Sequence, residues 1–578
     1  MPDNQPTRRA LPLILIRGFG GIGMEDEKRI AYQGFNDGTV YPQKRGENYI
    51  YEGLILRFMK SDWQYRDATN VVGYYSSAME VTLDVPDELK HLDRQYFTGH
   101  RIVIDAAMAL NLVKSAGDPC RTLWVFRYYD LDDRKFATYG EALVRLIGFI
   151  RDLASPRGRD QAKPKVNILA HSMGGLIVRE AIQVTYPEMN QQASDHINKV
   201  VTLGTPHQGI AFQFLQEWTT VKAEEELEHF NPTFQRDGEP ENRKGRYKNK
   251  KNEAAFVYFQ DHFPLDRLLT VVGTNYRTYS VGAASWMNRV FSIAGEGGSA
   301  YNRSDGLVKQ AYAQIPGAYR TFVHKCHGGH DSLVTSREAY EIATRFFFGN
   351  VRARLRLLTA KVKRGGDYFG KSEYFFGVSV KPRRVDFDLF HQSPEAENCY
   401  GPFSTDDFTD ARVDFDWADP KTRLIWEGFL DASKLVPDED RGKMIDMVLR
   451  IDIYVGERDK FGLGFSDNVI FRKQYYVRAV LGDQLTLFRH TGEQFMQKEK
   501  DGTYIPEKGD EMTPVASGWE FLVEGTGFSA TLGVELDYIP EDGPSIPLRD
   551  HIAASGLRGV TGKSGMPSPS SEVFPPGA

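Results

Sequence analysis

Cysteine is scarce in this chain of 578 residues, which has only Cys120, Cys326 and Cys399. They lie far apart and are odd in number, so they form neither a disulfide framework nor the paired spacing of a zinc site. This pattern suits folding in a reducing compartment. The sequence therefore predicts no metal ligand set.

Long hydrophobic runs are also missing. The apolar run Leu11–Ile16 has six residues, far fewer than the ~18 that a membrane-spanning helix needs. Arg8 and Arg9 precede it as in a signal peptide, but no small-residue cleavage site follows. We expect a buried strand here, no transmembrane segment, and synthesis in the cytoplasm without a cleavable signal peptide. Any secretion would then use a leaderless route.

Charge of one sign is not in excess. The chain has 72 basic and 78 acidic residues, a net charge of -6 and a pI near 6.2, so no global field recruits nucleic acid. The composition, 41% hydrophobic and 26% charged, is that of a globular protein. The length suggests roughly two to four domains.

The first ~350 residues alternate continuous apolar runs with segments of helical periodicity. Predicted strands are Leu11–Arg17, Thr122–Phe126, Val166–Ala170, Asn198–Leu203, Leu268–Val272 and Tyr319–Val323, and Ser336–Phe348 is a predicted closing helix. Strands buried on both faces and separated by helices indicate an α/β domain with a mostly parallel sheet. We assign it to residues 1–350, with long insertions at ~45–115 and ~210–265 that are candidates for a cap or lid.

From residue 351 onward the pattern changes to alternation of apolar and polar residues. It occurs in Val385–Leu389, Val413–Trp417, Leu449–Val455 and Leu532–Tyr538. Such segments, separated by Gly-, Pro- and Asn-rich turns, predict a β-rich, sandwich-like domain over residues 351–555. The Gly- and Pro-rich end, 556–578, is expected to be a flexible tail.

The most specific motif follows the strand Val166–Ala170. It reads His171-Ser172-Met173-Gly174-Gly175, and a helical pattern begins at once. This strand, sharp turn and helix are the context of a nucleophile elbow, so Ser172 is the predicted nucleophile. The backbone N–H of Met173 is one predicted oxyanion donor, and the other is that of Phe19 in the Gly-rich loop after the first strand.

That Gly-rich loop could instead cradle a phosphate. Gly18-Phe19-Gly20-Gly21-Ile22-Gly23 lacks the Lys-Ser/Thr of a P-loop, and no acidic residue follows at the spacing of a dinucleotide site. The sequence therefore predicts no cofactor.

A serine nucleophile needs a base and an orienting acid. When the serine lies at a nucleophile elbow, the acid and then the histidine follow it along the chain. Asp305, in a tight Asp-Gly turn, is the predicted acid. His324, His327 and His330 follow the last predicted strand. We favour His330 as the base because it lies at the junction with the closing helix. His327 is the alternative, and His324 is expected to be structural.

Together these motifs resemble the lipase branch of the α/β-hydrolase superfamily. The resemblance rests on Ile14–Gly21, Ala170–Gly175, Leu203-Gly-Thr-Pro-His-Gln-Gly209, Ser304–Val308 and the His330 loop. It is similar to triacylglycerol lipases and to inositol-deacylase-type, PGAP-like serine hydrolases, and it covers about residues 10–350. It implies an α/β-hydrolase fold and a Ser172-His330-Asp305 triad. The chain departs from the pattern at Arg17, where a His is usual, and at Ala170, where a Gly is usual. His207 is interpreted as a structural member of its motif.

The function expected from these features is that of a serine lipase or phospholipase acting on lipid at a membrane surface. A lipase domain joined to a β-rich module without a leader is similar in outline to phospholipase effectors that bacteria inject into neighbours. That resemblance implies an antibacterial or host-membrane effector, with an immunity or secretion partner. Two alternatives stay open: a carboxylesterase of soluble esters, and an inactive hydrolase fold whose β-rich half is a binding module.

Overall fold

The computed structural model describes most of the chain, and every structural statement below concerns this part. The described residues are 10–18, 53–61, 63–80, 84–115, 117–131, 135–155, 162–208, 259–276, 303–328, 331–363, 372–382, 387–410, 423–431, 448–459, 468–481, 484–491, 496–498, 504–506, 509–540 and 543–555. The predicted flexible tail, 556–578, and most of the predicted insertion at ~210–265 lie outside them.

A seven-stranded, wholly parallel sheet forms the first half, in the order β2-β5-β1-β6-β7-β8-β9. Its strands are β1 (Leu13–Ile16), β2 (Arg66–Asp67), β5 (Thr122–Val125), β6 (Val166–His171), β7 (Ile197–Leu203), β8 (Leu268–Gly273) and β9 (Tyr319–Val323). A separate antiparallel pair consists of β3 (Val72–Met79) and β4 (His100–Ile104). The prediction of an α/β fold with a parallel sheet is confirmed.

Helices cover both faces of this sheet. They are α1 (Leu54–Lys60), α2 (Ala106–Ser115), α3 (Phe136–Leu153), α4 (Met173–Glu180) and α5 (Arg337–Phe348). Successive residues of β1 point into opposite layers: Leu13 joins the hydrophobic cluster that contains α5, and Ile14 joins the cluster that contains α3 and α4. No helix in the described part of the chain is long and apolar enough to cross a bilayer.

The described part of the segment predicted as an insertion at ~45–115 contributes a strand and helices to these layers. β2 pairs in parallel with β5 at one edge of the sheet. The Phe58 ring of α1 packs edge-on against Tyr340 of α5, with ring centroids 4.9 Å apart. The sequence pattern does not predict β2, because this strand has only two residues, both polar, and is too short to show a hydrophobic period.

Antiparallel strands dominate the second half. They are β10 (Val351–Val362), β11 (Ser372–Pro382), β12 (Tyr400–Phe403), β13 (Leu424–Leu430), β14 (Val448–Asp459), β15 (Asn468–Leu481), β16 (Leu485–His490), β17 (Met496–Lys498), β18 (Tyr504–Pro506), β19 (Asp510–Glu511), β20 (Thr513–Val515), β21 (Gly518–Glu524), β22 (Phe528–Tyr538) and β23 (Ile546–Pro547). One sheet has the order β13-β10-β22-β21-β20, with β23 beside β22, and another the order β12-β11-β14-β15-β16-β19. Helix α6 (Leu548–Ser555) follows β23.

These two sheets pack face to face. Phe528 of β22 contacts Phe376 and Phe471 of the opposite sheet, with ring centroids 6.2 and 5.4 Å apart. Buried and less buried residues alternate along the first part of β10, as expected for a strand with one face in a core. The β-rich, sandwich-like second half is therefore confirmed.

No linker separates the halves, because α5 ends at Phe348 and β10 begins at Val351. Aromatic rings fill the junction: Phe429 of β13 lies 5.0 Å from both Tyr319 and Phe346, measured between centroids. Residues of both halves share one continuous hydrophobic cluster. The parallel sheet and the sandwich are thus packed through a common core.

Candidate active site

Ser172 occupies a strained corner between β6 and α4. Its backbone φ is +52°, a left-handed value that costs a non-glycine residue about 1–3 kcal/mol. The Ser172 N–H donates to the carbonyl oxygen of Leu203 over 2.9 Å, which fixes the corner against β7. Ser172 is 9% exposed. The corner therefore has the geometry expected of a nucleophile elbow.

The imidazole of His327 bridges Ser172 and Asp305. Its Nε2 lies 2.9 Å from Ser172 Oγ, and its Nδ1 lies 2.8 Å from Asp305 Oδ2. Asp305 accepts from Nδ1–H, so Nε2 is the nitrogen that accepts from the serine hydroxyl. The three groups form one hydrogen-bonded chain that can withdraw a proton from Ser172.

Asp305 is 1% exposed, but its carboxylate is satisfied. Besides the contact with His327, Oδ1 accepts from the N–H groups of Leu307 and Val308 over 3.1 and 2.8 Å. These bonds come from the tight turn that the sequence pattern predicted. They fix the orientation of the carboxylate with donors that do not titrate.

Backbone contacts hold the histidine loop to the acid loop. The N–H of His327 donates to the carbonyl oxygen of Asp305 over 2.9 Å, and the N–H of Cys326 donates to the carbonyl oxygen of Asp331 over 3.1 Å. His171 Nε2–H donates to the carbonyl oxygen of His327 over 2.9 Å. Burial, and then the neighbouring His327, lower the pKa of His171 well below its usual value, so His171 stays neutral.

Of the candidate bases, His327 is the one that the described residues place between Ser172 and Asp305. His330 lies outside the described residues, and both ring nitrogens of His327 already contact Ser172 and Asp305. His324 is at the end of β9, where its Nδ1 contacts Thr274 Oγ1 at 3.2 Å, in keeping with the structural role expected for it. The sequence could not separate His327 from His330 because the two glycines between them impose no preferred backbone direction.

Of the two predicted oxyanion donors, the described residues include Met173 but not Phe19. Met173 begins α4, so its N–H is one of the first four without an acceptor inside the helix. Phe19 lies outside the described residues. The preceding Gly18 is close to the nucleophile, since a Cβ on Gly18 would lie 2.5 Å from Ser172 Cβ. The loop after β1 thus begins beside the serine, where an oxyanion donor would be needed.

Gly204, in the lipase-like motif that follows β7, makes room for the acid. Its φ is +54°, and a Cβ there would lie 2.8 Å from Asp305 Oδ2 and 3.2 Å from His327 Nδ1. His207 of the same motif is buried, with its Nε2 2.9 Å from Thr202 Oγ1. Burial and the nearby Arg179 lower the pKa of His207 well below its usual value, which agrees with the structural role expected for it.

The described part of the chain holds no group of three or more His, Cys, Asp or Glu side chains that could bind a metal ion.

Residues 112–252 match the family model described as the PGAP1-like alpha/beta domain. None of the curated protein sequences matches the chain. Similar solved structures include the mature lipase BlEst2 of Bacillus licheniformis, 14% identical, covering 58% of this chain and 89% of its own at a TM-score of 0.25. Another is phospholipase PlaB of Legionella pneumophila, 13% identical, covering 64% of this chain and 82% of its own at a TM-score of 0.22.

A third is a putative cell surface hydrolase of Lactobacillus plantarum, 11% identical, covering 59% of this chain and 90% of its own at a TM-score of 0.25. Because these superpositions are partial, the fold of the first half is defined by the strand order and the corner at Ser172. The first half of the chain therefore has an α/β-hydrolase fold, and residues 112–252 within it are similar to the PGAP1-like alpha/beta domain.

Proposed function

We propose that this protein is a serine hydrolase that cleaves carboxylic esters of lipids through Ser172, His327 and Asp305. The observation that carries the proposal is the continuous hydrogen-bonded chain from Ser172 Oγ through His327 to Asp305. An imidazole placed in this way activates a hydroxyl that is otherwise a weak nucleophile.

In the first half-reaction Ser172 Oγ attacks the ester carbonyl carbon while His327 Nε2 takes its proton. The carbonyl oxygen becomes an oxyanion beside the N–H of Met173, at the N-terminus of α4. Asp305 stabilises the imidazolium and holds its orientation. His327 then returns the proton to the leaving alcohol oxygen as the carbon–oxygen bond breaks, which leaves an acyl group on Ser172.

In the second half-reaction, water takes the place of the alcohol and hydrolyses the acyl group on Ser172. His327 takes a proton from a water molecule, whose oxygen attacks the acyl carbon. The second tetrahedral intermediate breaks to release the fatty acid, and the proton returns to Ser172 Oγ. The three side chains thus serve both half-reactions without a change of partner.

The lipid part of the proposal is supported by the motif that spans Leu203–Gly209, which is typical of lipases, and by the match of residues 112–252 to the PGAP1-like family. The role as an injected effector with a partner protein stays a prediction from sequence resemblance.

A fluorophosphonate probe, which phosphonylates only an activated serine, tests the mechanism. We expect the wild type to be labelled, Ser172→Ala to be unlabelled, and Ser372→Ala in the second half, a matched control, to be labelled like the wild type. A wild type that never labels would contradict the proposal. Fatty acid release from phosphatidylcholine vesicles, compared with turnover of a soluble short-chain ester, then tests lipid against soluble substrate.

A further inference from the structure

A segment of the second half lies against both loops that carry the proposed acid and base. We name residues 387–398 the buttress loop. At one end, the N–H of His391 donates to the carbonyl oxygen of Phe322 over 2.9 Å, and Thr321 Oγ1–H donates to the carbonyl oxygen of Leu389. These two bonds attach it to β9, the strand that leads into the His327 loop.

Its other end holds the acid loop. Glu397 accepts two hydrogen bonds, from the N–H of Arg303 over 3.1 Å at Oε2 and from the hydroxyl of Tyr276 over 3.2 Å at Oε1. Arg303 lies two residues before Asp305, and Tyr276 follows β8. A single carboxylate therefore joins the end of β8 to the loop that carries the proposed acid.

A further bond strengthens this connection. The side chain of Gln310 donates from Nε2 to the carbonyl oxygen of Ala396 over 2.9 Å. The N–H of Gln310 donates to the carbonyl oxygen of Arg303 over 2.7 Å, closing the acid loop on itself. Both ends of the loop around Asp305 are thus fixed to two consecutive residues, Ala396 and Glu397.

The buttress loop is itself rigidly built. Buried Asn398 donates from Nδ2 to the carbonyl oxygen of His391 over 2.7 Å and accepts from the N–H of Ser393. Buried Gln392 accepts from the N–H of Val378 in β11 over 3.1 Å and donates to the carbonyl oxygen of Asn398 over 2.9 Å. Glu397 has a left-handed φ of +52°, a conformation that persists only where surrounding contacts enforce it.

From these contacts we infer that the second half is part of the catalytic apparatus, with Glu397 as a positioning residue for Asp305. The inference rests on the proposed serine hydrolase function and adds a structural role for the β-rich half. Glu397 does not touch the reacting groups. It acts through Arg303 and Tyr276, which set the position of the carboxylate that orients His327.

The experiment compares three full-length variants with the wild type in steady-state hydrolysis of a p-nitrophenyl ester. Glu397→Ala removes both acceptors, whereas Glu397→Gln can still accept from the Arg303 N–H and donate to the Tyr276 hydroxyl oxygen. Glu373→Ala is the matched control, because Glu373 of β11 pairs with Arg458 at 2.6 Å within the second half. Urea unfolding midpoints are measured for all of them.

We expect Glu397→Ala to lower kcat by about 10- to 100-fold with little change in KM, the usual result of misplacing a catalytic group by about 1 Å. Glu397→Gln should recover most of this loss, and Glu373→Ala should keep the wild-type kcat. If Glu397→Ala does not fold, Tyr276→Phe removes one of the two bonds and should lower kcat in the same way.

Two other results are informative and distinct. An active wild type with an equally active Glu397→Ala, or Tyr276→Phe where the first does not fold, would overturn the inference and leave the proposed function intact. Equal losses of kcat in Glu397→Ala and Glu373→Ala would also overturn it, because the effect would then be one of general stability. A wild type that neither turns over the ester nor reacts with a fluorophosphonate would contradict the proposed function itself.

Discussion

His171 donates its Nε2 hydrogen to the carbonyl oxygen of His327 over 2.9 Å, so the residue before the proposed nucleophile holds the backbone of the proposed base. The two rings lie 4.9 Å apart between centroids. Because a carbonyl oxygen only accepts, His171 must carry its proton on Nε2, and its lowered pKa keeps the ring neutral beside His327.

Replacement of His171 tests this contact. We expect His171→Ala to lower kcat for ester hydrolysis, since the His327 backbone loses a fixed donor, and His171→Gln to recover part of it through its amide N–H. Steady-state kinetics on both variants check the prediction. Equal activity in His171→Ala and the wild type would show that the loop holds its position without this bond.

The two candidate histidines can be separated by parallel substitutions. His327→Ala should lower kcat on the order of 10⁴- to 10⁶-fold, as removal of a triad member does, whereas His330→Ala should cause a much smaller loss. Fluorophosphonate labelling and ester turnover measure both. A larger loss in His330→Ala would return the role of base to the residue that the sequence pattern favoured.

Gly174 lies where the start of α4 touches β1. A Cβ at this position would lie 2.6 Å from the backbone carbonyl oxygens of Ile16 and Arg17, which cannot move as a side chain can. We expect Gly174→Ala to destabilise the protein by roughly 1–3 kcal/mol and to reduce labelling of Ser172. Gly533→Ala is the control, since its Cβ would meet Leu358 at 3.4 Å, an ordinary contact. Equal urea midpoints for the two variants would contradict this.

Stability should fall as the pH falls below neutrality. Burial is the main cause that lowers the pKa of His100, His196 and His324 to about 4, against about 6.5 in an unfolded chain. His171 and His207 are lowered in the same direction. Between pH 6.5 and 4 the unfolded state therefore binds more protons than the native state, so protons favour unfolding.

The corresponding measurement is the urea midpoint at pH 8.5, 7.5, 6 and 5. We expect little change between pH 7.5 and 8.5, where these histidines are neutral in both states, and a progressive decrease below pH 6.5. A midpoint that stays constant down to pH 5 would mean that these histidines titrate alike in both states.

The shared core predicts that the two halves unfold together. Phe429 packs on Tyr319 and Phe346 across the junction, so Phe429→Ala should cost about 3–5 kcal/mol and lower one common transition. Calorimetry and tryptophan fluorescence should report the same midpoint. Two separate transitions, with only one shifted by the substitution, would contradict this coupling.

Continuous apolar runs made most of the parallel sheet predictable. Val166–Ala170 and Leu268–Val272 coincide with β6 and β8 to within a residue, because strands buried on both faces have no polar positions to blur the pattern. The sharp corner at Ser172 was equally readable, since its small residues are dictated by local geometry. Contacts between distant segments were not readable: neither His171 with His327 nor Glu397 with Arg303 leaves a trace in sequence spacing.

In the second half, Leu532–Tyr538 lies in β22, whereas Phe387–Leu389 of another predicted strand belongs to the buttress loop. Val413–Trp417 lies outside the described residues. In the described part of Val385–Leu389, the carbonyl oxygen of Leu389 accepts from Thr321 of β9, 68 residues earlier in the chain, and the N–H of Leu389 donates to the carbonyl oxygen of Val380 in β11. Neither long-range contact could be read from the alternation.

The buttress loop and Phe429 of β13 pack against β9, and this has a consequence for shorter forms of the protein. A chain that ended after α5 would lack the His391 N–H that donates to the carbonyl oxygen of Phe322 and the Phe429 ring that packs on Tyr319. Both contacts lie along the outermost strand of the parallel sheet. Open strand edges recruit other chains and lead to self-association. A natural or engineered truncation would therefore have to supply a substitute cap for that edge to stay monodisperse.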